Sequence, residues 1–134
     1  MRLLIRIVAV LAAVSVLGTL WFVAAFAAAG GLRALLTSGL LGGLTIVGWV
    51  LALVVGPVAA VQLWRLRDSG RRAGIILFGY GLAYYVVGLL ALRAPEASAW
   101  QILGAAAMFA LPLVVLLSPR TRSLLSAATS KTAG

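Results

Sequence analysis

The chain has 134 residues, 64% of them hydrophobic and only 10% charged, where an ordinary globular domain is about half apolar and a quarter charged; the composition is that of a chain embedded in lipid, with room for one domain. Having neither Cys nor His, it cannot offer a thiolate nucleophile, a disulfide or a soft metal ligand. Its 11 Lys and Arg against 2 Asp and Glu suggest nucleic acid in a soluble protein, but here they punctuate long apolar runs instead of lining a polar face, so no nucleic-acid partner is expected.

A helix needs about 20 apolar residues to cross about 30 Å of hydrocarbon, and cutting the chain at its charges leaves four stretches that meet this length. The first runs from Ile7 to about Ala29. It follows Arg2 and Arg6 and ends in small residues, as a signal peptide does, yet signal cores run about 7 to 15 residues. A retained helix is therefore expected. The second lies within the uncharged run Ala34 to Trp64, which is too long for one straight crossing. Thr37 and Ser38 are candidate N-caps, and the glycines beside them weaken a helix. The embedded helix is thus expected from near Gly42, with Gly30 to Leu41 as a loop or interfacial lead-in. The third covers Ala73 to Leu92 and the fourth about Ala99 to Leu117. After Ser118-Pro119 the chain is polar, and residues beyond Ala128 are expected to be disordered. An alternative for the start of this tail is a short surface helix with Pro119 in its first position.

The fold class that follows is an all-α membrane protein: a four-transmembrane-helix bundle over residues 1–118 (helices about 7–29, 42–64, 73–92 and 99–117), with 119–134 as a partly disordered cytoplasmic tail. Direction follows from the rule that Lys and Arg in short loops stay cytoplasmic. Arg2 and Arg6, then Arg65, Arg67, Arg71 and Arg72, then Arg120, Arg122 and Lys131 share one side of an even-numbered bundle, against Arg33 and Arg93 on the other. Both termini are expected in the cytoplasm. Trp64 beside Arg65, and Trp100 at the start of the fourth helix, suit the headgroup level, while Trp21, Phe22, Phe26, Tyr84 and Tyr85 fall toward the outer end.

Helices in lipid associate through close packing of small residues and a few hydrogen bonds. Gly74, Gly81 and Gly88 recur at heptad spacing along the third helix and form a candidate packing seam. Pro57 and Pro112 remove backbone donors inside helices two and four and are candidate kinks; each stands equally far in sequence before a basic residue, Arg65 and Arg120. Ordinary tolerance of proline in membrane helices accounts for both, and a paired hinge is the alternative.

Tests for chemistry are brief. Asp68 and Glu96, the only carboxylates, fall on opposite sides of the expected bundle and form no catalytic pair; no catalytic residue, metal site or cofactor is expected. Every span lacks a formal charge, which argues against a proton-coupled carrier. The embedded hydroxyls of Ser15, Thr19 and Thr45 are expected to bond back to their own helices. The cluster Arg65, Arg67, Arg71 and Arg72 is a candidate contact for anionic lipid head groups.

The stretch LWRLRDSGRRAGIIL (Leu63 to Leu77) and the exit LLSPRTR (Leu116 to Arg122) resemble small bacterial four-helix integral membrane proteins of uncharacterised function. That resemblance implies a basic loop between helices two and three, a Ser-Pro exit from helix four and no catalytic residues. Small multidrug-resistance transporters are similar in size and helix count, but their membrane-embedded glutamate of helix one has no counterpart here. The expected function is that of a non-enzymatic protein of the bacterial inner membrane, acting through helix association with itself or a membrane-protein partner and through lipid contact. The alternative is a small transporter or channel subunit for a neutral or uncoupled substrate.

Overall fold

The computed structural model describes residues 1–92 and 99–133. These form six helices and no strand: α1 (Arg2–Ala28), α2 (Gly31–Thr37), α3 (Leu40–Trp64), α4 (Asp68–Leu92), α5 (Ala99–Leu117) and α6 (Pro119–Ala133). Two stretches, Arg2–Ala28 and Gly42–Trp64, are long and apolar enough to cross a membrane. A third qualifies if Ala106–Leu117 and Pro119–Lys131, bent by 59° at their break, are one span; the described residues do not supply a fourth by this measure.

Each expected apolar stretch is helical, but the elements around them differ. The lead-in contains α2, which begins where Gly30 takes a left-handed φ of 74°, a conformation glycine adopts without steric cost. Thr37 and Ser38 close this helix instead of capping the next. Their hydroxyls donate back to the carbonyls of Arg33, Ala34 and Leu35, and Gly39, at φ 68°, opens α3 with no side-chain cap. The tail, expected to be disordered past Ala128, is helical to Ala133. Ser118 explains its start: the side-chain oxygen accepts the backbone N–H of Thr121 at 3.2 Å, an N-cap with proline in the first position.

The turn between α3 and α4 is tight for a definite reason. Arg67 N–H reaches the carbonyl of Gln62 and Leu66 N–H that of Leu63, both at 2.9 Å, the pair of bonds of a Schellman ending. The left-handed position is held by Leu66 at φ 56°, a costly choice for a residue with a Cβ that Leu66 offsets by lying against the apolar core.

Successive long helices are neighbours: α1 lies on α3, α3 on α4 and α4 on α5, whereas α1 and α5 touch only slightly. The core is concentrated at one end. In α1 the buried residues are Ile5, Val8, Ala9 and Ala12, and none follows. Ala52, Ala59 and Leu63 of α3, Leu77 and Phe78 of α4, Leu116 of α5 and Leu125 of α6 complete that core. Outward faces are apolar along the long helices, including Leu17, Val54, Leu111 and Val114, each at least 60% exposed. Soluble monomers rarely carry contiguous apolar surface on this scale, and such a surface is compatible with hydrocarbon.

Pro57 lies inside α3 and Pro112 inside α5. Both helices run through their prolines as single elements, and the sharp bend in this part of the chain falls at Ser118.

Candidate functional site

Two regions carry the chemistry the sequence points to, a basic end and an apolar cavity at the opposite end. At the basic end, tertiary contacts join three separate segments. The Arg6 guanidinium stands 5.5 Å from the centroid of the Trp64 ring, in range for a cation–π contact. Asp68 N–H reaches the Thr129 hydroxyl at 3.3 Å, and the buried Thr121 hydroxyl lies 3.5 Å from Met1 Sδ. The start of α1, the α3–α4 turn and α6 therefore share one end, together with their arginines.

Within this end the four arginines of the turn differ. Arg71 Nε donates to Asp68 Oδ1 at 2.9 Å with its side chain 16% exposed, while Arg72 Nε donates to Oδ2 at 3.2 Å from a side chain 77% exposed. The hydrogen bond from Arg71 holds the Asp68 carboxyl below its ordinary range, against the opposing effect of partial burial. Arg65 and Arg67 are exposed, and no ion pair engages them among the described residues. Beside Arg65, a shallow cavity of about 390 Å³ runs between α1 and α3, lined by Ala9, Val10, Ala13, Ala60, Val61, Trp64 and Arg65. Gln62 Oε1 is buried nearby in sequence without a partner.

The glycines of α4 make contacts that side chains would block. A Cβ on Gly74 would sit 2.7 Å from Leu116 Cδ1, and one on Gly81 would sit 2.5 Å from Phe109 Cδ1, so both positions face α5. The surroundings of Gly88 lie outside the described residues, as do Arg93 and Glu96. Sequence reasoning missed Gly70, where an added Cβ would lie 2.6 Å from the backbone carbon of Gln62. The signal was present: Gly70 and Gly74 are four apart on one helix, the spacing of close helix contacts.

At the other end the helices enclose a cavity of about 650 Å³. Phe22 and Phe26 of α1 form an aromatic cluster with Trp49 of α3, with centroids 5.7 to 5.9 Å apart. Tyr80 stacks on Tyr84 at 6.5 Å, and Tyr85 meets Phe109 at 6.2 Å; all seven rings line the cavity. Five of the hydroxyls that line it are paired within the protein. Ser15 and Thr19 donate back along α1 to Leu11 and Ser15 carbonyls at 2.9 and 2.7 Å. The Thr45 and Tyr84 hydroxyls meet at 2.6 Å, and Tyr80 donates to the Leu44 carbonyl. The wall is thus hydrocarbon and aromatic in character, with most of its hydroxyls spent on structure.

The described residues hold no cluster of three His, Cys, Asp or Glu. Comparison of the chain with models of protein families, with curated proteins and with solved structures finds no match. The fold and site define an all-helical chain with two or three candidate membrane spans.

Proposed function

We propose that this is a non-enzymatic integral membrane protein of the bacterial inner membrane that crosses four times, through α1, α3, α4 and α5, with both termini cytoplasmic. It acts through helix association, with a second copy or another membrane protein, and through contact of its basic end with anionic lipid. The observation that carries this reading is the joining of the α1 start, the α3–α4 turn and α6 at one end, since retention of Lys and Arg inside then orients the whole bundle. The uncharged run of α4 from Ala73 to Leu92 and the uncharged α5 supply the remaining crossings. Arg65 and Arg67, exposed beside the groove between α1 and α3, are best placed for lipid phosphates, while Arg71 is committed to Asp68.

Two measurements test this. In intact cells, a thiol at Ser69→Cys should resist an impermeant reagent while one at Thr37→Cys is labelled; labelling at position 69 from outside overturns the orientation. In vesicles, Arg65→Gln with Arg67→Gln should weaken preference for anionic over zwitterionic lipid by about 1 kcal/mol per charge removed near the surface. An unchanged preference removes the basic end as a lipid contact.

The second reading, a small transporter or channel subunit for a neutral substrate, is favoured by the larger cavity. Against it stands the floor of that cavity: Ala52, Leu77 and Phe78 line it and also belong to the buried core. Specific solute flux in proteoliposomes, absent with empty vesicles, would establish this alternative in place of the first.

A further inference from the structure

The groove between α1 and α3 at the basic end changes character along its length. At its mouth stand Trp64 and Arg65 of α3, both exposed, and the Arg6 guanidinium of α1 lies over the Trp64 ring at 5.5 Å. Farther along, its lining is alanine and valine: Ala60 and Val61 one turn back along α3, and Ala9, Val10 and Ala13 on α1. Ala13 lies about 10 Å beyond Arg6 along the helix axis. Ala9 is buried while Val10, Ala13 and Val61 are exposed, so the groove is closed toward the core and open on the outer face of the bundle. Short alanine side chains leave its volume of about 390 Å³.

Cations at the mouth and hydrocarbon inward is the order of a phospholipid, and the Trp64 ring suits the level between head group and chain. Arg71 and Arg72 share the Asp68 carboxylate. Arg65, by contrast, lines the groove itself, and the cation–π contact positions Arg6 without supplying an oxygen for its N–H donors. A phosphate supplies such oxygens. A second copy is a poorer occupant. The chain carries 11 Lys and Arg against 2 Asp and Glu, and copies inserted in one direction place their basic ends in the same leaflet, so a parallel neighbour sets its own arginines against these and like charges repel. We propose that the groove seats the upper part of one acyl chain of an anionic phospholipid from the cytoplasmic leaflet, with its phosphate between Arg65 and Arg6. This rests on the contact of the basic end with anionic lipid proposed above, and makes that contact a specific site with a defined wall.

The test uses the full chain in phosphatidylcholine vesicles to which a small fraction of a quencher is added, either phosphatidylglycerol or phosphatidylcholine brominated near the top of its acyl chains. Single-tryptophan forms retain either Trp64, which lines the groove, or Trp21, which is exposed elsewhere on α1, the other tryptophans becoming phenylalanine. Trp64 should be quenched more by the phosphatidylglycerol than by the phosphatidylcholine at the same fraction, and Trp21 equally by both. Ala13→Phe fills the groove and should remove the greater part of that preference, while Val14→Phe, exposed at the next position of α1 but outside the groove, should leave it unchanged. Arg67→Gln removes one surface charge from outside the groove and should require about fivefold more phosphatidylglycerol for equal quenching of Trp64. Arg65→Gln and Arg6→Gln each remove the same charge together with a phosphate contact, and should require on the order of 20-fold more.

If Ala13→Phe elutes as a single folded species and the preference stays the same, or if Arg65→Gln or Arg6→Gln acts no more strongly than Arg67→Gln, the groove site is overturned while lipid contact of the basic end stands. If Trp64 is shielded from both lipids while Trp21 is quenched, protein covers the groove and the site is likewise overturned. If Trp64 is quenched equally by both lipids, the anionic contact itself fails and the site with it; if neither tryptophan is quenched, insertion fails. Should Ala13→Phe not fold, Val61→Phe fills the same space from an exposed groove position on α3 and is read in the same way.

Discussion

The hydroxyls of Thr45 and Tyr84 meet at 2.6 Å between α3 and α4, one turn from the bond that Tyr80 donates to the Leu44 carbonyl. Interhelical hydrogen bonds of this kind stabilise membrane proteins by about 0.6 kcal/mol on average and up to ~1.7. Tyr84→Phe is therefore expected to lower unfolding stability in detergent by an amount in that range. A double-mutant cycle with Thr45→Val checks it: a coupling energy indistinguishable from zero means that the two hydroxyls are neighbours without being partners.

Close approach makes a sharper prediction. At Gly70 an added methyl meets the backbone of Gln62, which cannot move without shifting α3, whereas at Gly81 it meets the Phe109 ring, which borders the cavity and has space to turn into. Overpacking costs about 1 to 3 kcal/mol. Gly70→Ala should stand at the upper end of that range and Gly81→Ala near the lower, measured as loss of detergent thermal stability. A reversed order would show that α4 is anchored on α5 more tightly than on α3.

Ser118 caps α6 through the Thr121 N–H, and loss of such a cap costs about 1 kcal/mol. Ser118→Ala should loosen the docking of Leu125, which is fully buried, and speed tryptic cleavage at Arg120 and Arg122 in the folded protein. Cleavage at the wild-type rate would mean that α6 is held by packing alone.

The Asp68 carboxyl is held low, chiefly by the hydrogen bond from Arg71. A depressed folded-state pKa means stability that is complete above the unfolded value and lost as pH falls through the folded one. The contribution of Asp68 to thermal stability in detergent should thus be complete and independent of pH near neutrality, and decline once pH drops below the ordinary 3.8. Asp68→Asn should flatten the acid limb of the profile. An acid limb of equal depth in the variant would assign the decline to another group.

Several elements were legible before any contact was known. Apolar runs between charges located α1, α3, α4 and α5 because hydrogen-bond satisfaction in lipid leaves an apolar run little choice but helix. Spacing along α4 pointed to Gly74 and Gly81, yet not to Gly70, because a glycine in a basic turn reads first as loop. Thr37 and Ser38 were misplaced for a related reason: a hydroxyl serves either end of a helix, and only the left-handed Gly30 and Gly39 on their two sides show that a separate turn, α2, lies between. Beyond Ala128 the tail was read as disordered from its polarity, although α6 runs to Ala133; ahead of that point, Thr121 and Leu125 find a buried seat that composition does not announce.

The sequence by itself determined the long helices and the spacing of charge: uncharged apolar runs form α1, α3, α4 and α5, two or three of them apolar enough to cross a membrane, and the arginines fall at or between their ends. Tertiary structure alone decided what those segments enclose. Whether α1 and α5 close over their whole length or part beyond the buried core depends on the contacts of side chains far apart in the chain, such as Phe22 with Trp49 and Gly81 with Phe109. Periodicity within one helix carries no record of the distance to the next.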